Sequence, residues 1–399
     1  MSSSSADRIP LLDLGVQYAK IRAEVNSAID EVAESQQFIL GPAVTRFEAQ
    51  MAAYLHRRHT VGVASGSDAL LLALMTLDIG PGDVVITTPF TFFSTVSSIT
   101  RLGAMPLFVD IDIANYLLSA RGVEQLLSER GRMRDGGTTD TKTGRHIKAF
   151  LPVHLFGQCC AMEDFLTLSR KFHLRIVEDV AQACGARVTI SDDIRFAGAI
   201  GDLGCFSFFP SKTLGAFGDG GLVSVDSNEL AARLRVLRMH GESVKYHHEA
   251  TGVNSRLDSL QAAVLSVKQK YLEKWCEERI ARATFYHHLF NQSGLVKDCI
   301  LSIPPASVDK SHVFNNYVIR AERRDELKQF LADSGIQSEI YYPLPLHLQR
   351  CFADLNYKRG DFPQAELAAS QVLALPLYPE MTDDQQETVV AKIRAFYRR

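Results

Sequence analysis

Apolar residues fall in short blocks along the middle of this chain. Residues 61–64 form one block, and 84–87, 106–109, 147–153, 175–178, 205–208 and 221–225 form others. Blocks of this length, bounded by polar or breaking residues, predict strands. Between several of them the apolar positions recur at helical spacing. Residues 68–77 predict a helix that stops at Gly80-Pro81-Gly82, and 162–172 predict another. Strands alternating with helices predict a mostly parallel sheet covered on both faces.

The rhythm is interrupted twice. Residues 128–145 are rich in Gly, Thr, Arg and Asp without an apolar period, which predicts a surface insertion or mobile loop. Residues 189–195 are a second polar stretch of this kind. After Asn254 the pattern changes. Residues 257–289 predict one long helix or two, and Pro304-Pro305, a strand at 316–320 and a helix at 324–334 follow. The expected architecture is a large α/β/α domain over 1–255 and a smaller C-terminal α+β domain over 256–399.

At 399 residues the chain is long enough for both domains. A formal net charge of -3 argues against electrostatic binding of nucleic acid. No apolar run is long enough to span a bilayer, so no membrane partner is expected. Residues 1–10 lack an apolar signal core and read as a short disordered tail, which points to the cytoplasm. The seven cysteines show no C-x-x-C pair, and their odd number argues against a disulfide framework. No metal is expected, and each cysteine reads as a small buried apolar residue.

Lys212 stands between the apolar block 205–208 and the glycine-rich run 215–221. Most lysines are solvated. A desolvated one has a depressed pKa and becomes a nucleophile. Asp179 lies at the carboxyl end of a predicted strand, where open α/β sheets bind ligands. A carboxylate there can hold the protonated ring nitrogen of pyridoxal phosphate, and Gln182 can bond a ring substituent. The plainer reading of Asp179 is a helix cap. Gly66 and Ser67 sit in a small-residue turn before a helix, which suits a phosphate. The plainer reading there is an N-cap. Phe92 follows a strand end and can stack on a planar ring, or pack in the core. His247 and His248 read as a solvated loop or one ordered by the nucleotide, since two adjacent histidines in a polar loop rarely make a metal site.

The order of these features carries more than any one of them. Taken with Phe38-Ile39-Leu40-Gly41-Pro42, His154-Leu155-Phe156-Gly157-Gln158, Phe208-Phe209-Pro210-Ser211-Lys212, Gly252-Val253-Asn254-Ser255-Arg256-Leu257-Asp258 and Tyr341-Tyr342-Pro343-Leu344-Pro345-Leu346-His347, the chain resembles the DegT/DnrJ/EryC1/StrS sugar aminotransferases over nearly its whole length. That resemblance implies the fold-type-I architecture of pyridoxal 5'-phosphate (PLP) enzymes. It implies that Lys212 bonds the cofactor and shuttles the proton, and that Asp179 partners the ring nitrogen. Gln182 would lie beside the ring hydroxyl, Phe92 against the ring, and Gly66, Ser67 and Ser207 around the phosphate. Asn254 would reach the cofactor phosphate of a second subunit, with Arg256 beside it, which implies a homodimer with shared sites. Tyr342 and His347 would face the sugar.

The nearest subgroup makes 3-amino sugars on a UDP or dTDP carrier, including enzymes acting on UDP-2-acetamido-3-keto-glucuronate. Its members imply glutamate as amino donor and a role in amino-sugar or surface-polysaccharide synthesis. His347, the 128–145 insertion and the longer loop between Gln182 and Ser207 depart from that subgroup. Dehydratases of the family carry histidine where this chain has Lys212. Amination at C4, a cyclitol ketone as substrate and a non-catalytic regulator on the same fold are the alternatives.

Overall fold

The computed structural model describes residues 8–134 and 136–398. The chain opens on α1 (Leu14–Ser35) and α2 (Pro42–Leu55). The Asp13 side chain accepts from the backbone N–H groups of Gly15 and Val16 and so starts α1. Pro42 starts α2 without loss, since its missing N–H would have been unbonded. Neither helix belongs to the alternation read from the sequence. The buried stripe of α1 is thin, with Ile21, Val25 and Val32 among mostly polar neighbours.

The alternation then begins. β1 (His59–Val63), α3 (Gly66–Thr76), β2 (Asp83–Thr87), α4 (Phe93–Arg101), β3 (Met105–Phe108) and α5 (Ala120–Arg130) come first. A hairpin of β4 (Gly131–Arg134) and β5 (Gly137–Asp140) precedes β6 (His146–Phe150), α6 (Met162–Phe172) and β7 (Arg175–Asp179). A second hairpin, β8 (Arg187–Ile190) and β9 (Asp193–Phe196), leads to β10 (Leu203–Ser207), β11 (Gly221–Val225) and α7 (Asn228–Leu237). The main sheet has the order β1-β11-β10-β7-β6-β2-β3. Its strands pair in parallel from β10 to β3, and β11 runs antiparallel to β10 and β1. Every residue of β2 and β11 is buried, which is why these strands are nearly continuous apolar runs.

The later part contains a small hairpin, β12 (Glu242–Val244) and β13 (His247–His248), then α8 (Ser259–Gln269) and α9 (Leu272–Ser293). The predicted long helix is therefore two. An antiparallel sheet of β14 (Leu301–Ser302), β15 (Tyr317–Ala321) and β16 (Val372–Leu375) is accompanied by α10 (Arg324–Asp333), α11 (Pro363–Gln371) and α12 (Asp383–Tyr397). Tyr286, Tyr317, Leu327, Leu373 and Ile393 share one apolar cluster there. The α8 residues Ala262, Ala263 and Leu265 instead join Phe47 and Phe208 in a cluster beside the main sheet.

Several expectations are corrected. Within 128–145 the surface insertion is ordered, not a mobile loop: β4 and β5 pair with each other, and β5 pairs with the first half of β6. Its inward positions are polar, which hides it from an apolar count: Thr138 and Asp140 are buried, and Arg130 grips Asp140 through Nε at 2.9 Å and Nη2 at 2.8 Å. The stretch 189–195 is likewise a hairpin, turned by Ser191 and Asp192, both at positive φ. Of the expected tail, residues 1–7 lie outside the described residues. Ile9 is buried and exchanges two 3.0 Å backbone bonds with Gly335 and Gln337. Cys299 and Cys351 are exposed, unlike the other five cysteines. No helix among the described residues is long and apolar enough to cross a membrane.

One buried anchor fixes the end of β7. Glu178 accepts from the backbone N–H groups of Gly198, Ile200 and Gly201 at 2.9, 2.8 and 2.7 Å, and meets His154 Nε2 at 3.0 Å. His154 Nδ1 accepts from Cys160 N–H at 3.0 Å, so Nε2 carries the proton and donates to Glu178. Burial pushes the Glu178 carboxyl up, but the bonds from His154, Gly201 and Gly198 outweigh it and hold the group below its ordinary value of 4.5. Glu178→Ala would leave these donors unpaired. It should cost about 3 kcal/mol or more, read from urea unfolding. A lowered folded value means stability present above the ordinary pKa and lost as pH falls through the folded one. Glu178→Gln should therefore flatten the acid limb of the stability profile.

Candidate active site

A cavity of about 420 Å3 opens at the carboxyl ends of β7 and β10, facing the first turns of α3 and α4. This is where an open α/β sheet leaves room for a ligand. Lys212 reaches it from a tight loop after β10. Ala216 N–H bonds Phe208 O at 2.8 Å, Phe208 N–H bonds Gly220 O at 2.8 Å, and Lys212 N–H bonds Phe209 O at 2.9 Å. A Cβ on Gly215 would strike the Pro210 carbonyl, so the glycine there lets the loop close. The Lys212 amine is desolvated, which brings it down to about 8, while the charge of Asp179 acts the other way.

Asp179 ends β7 and is buried. Its Oδ2 accepts from the Thr95 hydroxyl at 2.8 Å and its Oδ1 from Ala181 N–H at 3.1 Å. Burial raises the carboxyl above its ordinary value, and the Thr95, Ala181 and Lys212 contacts oppose that rise. Gln182 is oriented at both ends. Its Oε1 accepts from Phe156 N–H at 2.6 Å, and its Nε2 donates to the Tyr342 hydroxyl at 3.1 Å.

Gly66 and Ser67 form the first turn of α3, whose free backbone N–H groups and helix dipole favour an anion. A Cβ on Gly66 would lie 2.5 Å from Ser207 Cβ, so only glycine lets β10 approach this turn. Ser67 Oγ lies 2.6 Å from Ser94 Oγ. Phe92 caps α4 with its ring 56% exposed, 6.1 Å from the Tyr342 ring.

The fold thus brings Lys212, Asp179, Gln182, Gly66, Ser67, Ser207, Phe92 and Tyr342 to one cavity. Asn254 and Arg256 line an adjoining hollow of about 570 Å3 that shares Ser65 and Asp219 with it. His347 is not brought there. Its ring is buried against Phe362 and bonded to Glu366 at 3.0 Å, which ties it to α11. The sequence reading missed Thr91, Ser94, Thr95, Asn315, Asn316 and Tyr341, which line or support the cavity. Their available signal was weak: hydroxyls at the start of α4, one helical turn apart, facing an aspartate on another strand.

The chain's likeness to known proteins agrees with this geometry. The profile described as the DegT/DnrJ/EryC1/StrS aminotransferase family matches residues 19–394. A protein of Geobacillus stearothermophilus named "Pleiotropic regulatory protein" is 44% identical, covering 98% of this chain and 99% of its own. The UDP-N-acetyl-3-dehydro-alpha-D-glucosamine 3-aminotransferase of Acidithiobacillus ferrooxidans is 39% identical, with 97% of each chain covered. Among solved structures, DesV of S. venezuelae, in complex with a ketimine intermediate, is 39% identical with a TM-score of 0.88, over 98% of this chain and 99% of its own.

That family uses PLP, and the residues here fit it. The cavity holds a desolvated amine, a buried carboxylate that can only accept, and a helix start that a Cβ at Gly66 would fill. Covalent attachment of PLP needs the neutral amine. With Lys212 near 8, and not at the ordinary 10.5, the attachment rate to cofactor-free protein should rise as pH climbs through 8 and then level off. Stopped-flow absorbance would record it. Borohydride should then fix the cofactor to the Lys212 peptide; labelling of another lysine rejects the assignment.

Proposed function

The chain belongs to the DegT/DnrJ/EryC1/StrS aminotransferase family, and from that premise we propose that it aminates C3 of a UDP- or dTDP-linked keto-sugar with glutamate as donor. It is a PLP-dependent sugar aminotransferase. The finer reading is supported by one observation above the others: Lys212 and Asp179 share a cavity whose wall carries Tyr342. We place the enzyme in the cytoplasm, in amino-sugar synthesis for a surface polysaccharide. We take residues 1–255 as its cofactor domain and 256–399 as its smaller domain.

When bound, PLP withdraws electrons from the carbon that loses a proton, through a ring protonated at its nitrogen. Asp179, aimed by the Thr95 hydroxyl and Ala181 N–H, would accept that ring proton. Lys212, whose amine burial brings down to about 8, would take the proton from the donor's α-carbon and deliver it to the cofactor carbon that receives the nitrogen. Gly66, Ser67 and Ser207 would hold the phosphate at the start of α3, Phe92 would stack on the ring, and Gln182 would bond the ring hydroxyl. The same residues then act in reverse on the keto-sugar.

Asn254 and Arg256 stand outside their own cavity, in the hollow beside it, which supports a homodimer in which they serve the neighbouring site. Mixing Lys212→Ala chains with Asn254→Ala/Arg256→Ala chains tests this. A mixed dimer has one site with both defects and one with neither, so activity should return. Subunit exchange without recovery overturns the shared site.

The relative named as a 3-aminotransferase supports C3. So does the wall: Pro343 and Pro345 stiffen the segment after Tyr342, and Leu346 N–H bonds Pro89 O at 2.7 Å. A misplacement of ~1 Å can cost about 100-fold in rate, so a fixed wall can select one carbon. The relative named as a regulator favours a second, non-catalytic reading, against which the retained Lys212, Asp179 and Gln182 weigh. Matched 3-keto and 4-keto nucleotide sugars, supplied with glutamate and followed by NMR, should gain nitrogen at C3. Amination at C4 overturns the position, and no amination of any sugar favours the regulator.

A further inference from the structure

Asp179 is the end of a directed chain of hydroxyls. Thr95, in the first turn of α4, is fully buried and donates to Asp179 Oδ2 at 2.8 Å. Thr91 is 2% exposed, and its hydroxyl lies 2.9 Å from that of Thr95. A hydroxyl has one proton to give. Thr95 gives its own to the carboxylate, so Thr91 is the donor in the pair. The chain runs from Thr91 through Thr95 to Asp179, and each link strengthens the next.

We propose that Thr95, polarised by Thr91, is a positioning residue that keeps the Asp179 carboxylate ionised and aimed at the cofactor's ring nitrogen. This rests on the reading that Asp179 holds that nitrogen's proton.

Burial favours the neutral acid of Asp179, which could not accept the ring proton. Lys212 faces it from the loop after β10, His154 from the segment after β6, and Tyr342 from the wall. The Cys160 and Cys205 thiols are also within its field. Lys212 helps only while its amine is charged. His154 directs its Nε2 proton to Glu178. Tyr342 receives its bond from Gln182. Among the described residues, the donors bonded to the carboxylate are Ala181 N–H and the Thr95 hydroxyl, and Thr95 is the side chain of the two.

The test uses the full-length protein loaded with PLP labelled with 15N in the ring. Thr95→Val keeps the branched shape and removes the hydroxyl. Its ring-nitrogen resonance should move toward the unprotonated form, and its affinity for PLP should fall about tenfold or more, the size of one hydrogen bond to a charged group. Thr95→Ser should restore both. Thr91→Val should shift both in the same direction by less. Asp179→Asn is the control for the underlying reading. If it leaves the resonance unchanged, Asp179 does not hold the nitrogen, and both ideas fall. If it moves the resonance while folded Thr95→Val leaves resonance and affinity unchanged, this inference alone falls. If Thr95→Val does not fold, Thr91→Val decides, and an unchanged resonance there overturns the proposal.

Discussion

Two buried carboxylates stand side by side at the end of β7, and strand alternation sends them to opposite faces of the sheet. Glu178 turns to the backbone N–H groups of 198–201 and to His154. Asp179 turns to the cavity and to Thr95. One carboxylate ties the strand end to the loop leading into β10, and the other presents a lone pair to a ligand. A slip of one residue in the β7 register would exchange the two roles. The parallel pairing of β7 with β10 and β6 is what prevents it.

The loop after β10 completes the arrangement. β10 delivers Ser207 to the start of α3, and the close approach at Gly66 places a serine against a helix N-terminus. Five residues later Lys212 faces the same cavity with its charge weakened by burial and partly restored by Asp179. The α8 helix holds the rest of the loop: Lys268 Nζ donates to Gly215 O at 2.6 Å, and Gln261 accepts from Phe217 N–H at 2.8 Å. The loop that carries the lysine is therefore stiffened from a helix that lies late in the sequence.

The wall opposite comes from later still. Tyr342 enters the cavity from a segment tied down on both sides of the large sheet's edge. Leu346 bonds Pro89, Phe352 stacks on Phe93 at 5.3 Å, and Asp110 accepts from Gln364 and Ala365 N–H to start α11. His347 belongs to this fastening through Glu366. That wall of the cavity is held by many small contacts, so its shape is fixed before anything enters.

Much of this was legible along the chain. The buried strands of the main sheet were readable as apolar blocks because a strand buried on both faces needs no polar alternation. Lys212, Asp179 and Gly66 were readable because chemistry at a strand end demands particular residue types. The hairpin of β4 and β5 was not, since its buried positions are polar: Thr138 donates to Phe172 O and Asp140 accepts from Arg130. The place of His347 was hidden for a different reason. Its sequence neighbours point to the cavity, but the side chain's direction is set by Glu366 and Phe362, residues met only after folding. Thr95 shows the same limit from the other side: a threonine in a helix is unremarkable until the fold sets Asp179 against it. The sequence by itself determined which groups could do the chemistry and which strands would be buried, because residue type and apolar pattern are local properties. Tertiary structure alone decided which of those groups meet, because hydrogen-bond partners 84 and 160 positions apart, as in Thr95–Asp179 and Gln182–Tyr342, are chosen by packing and register.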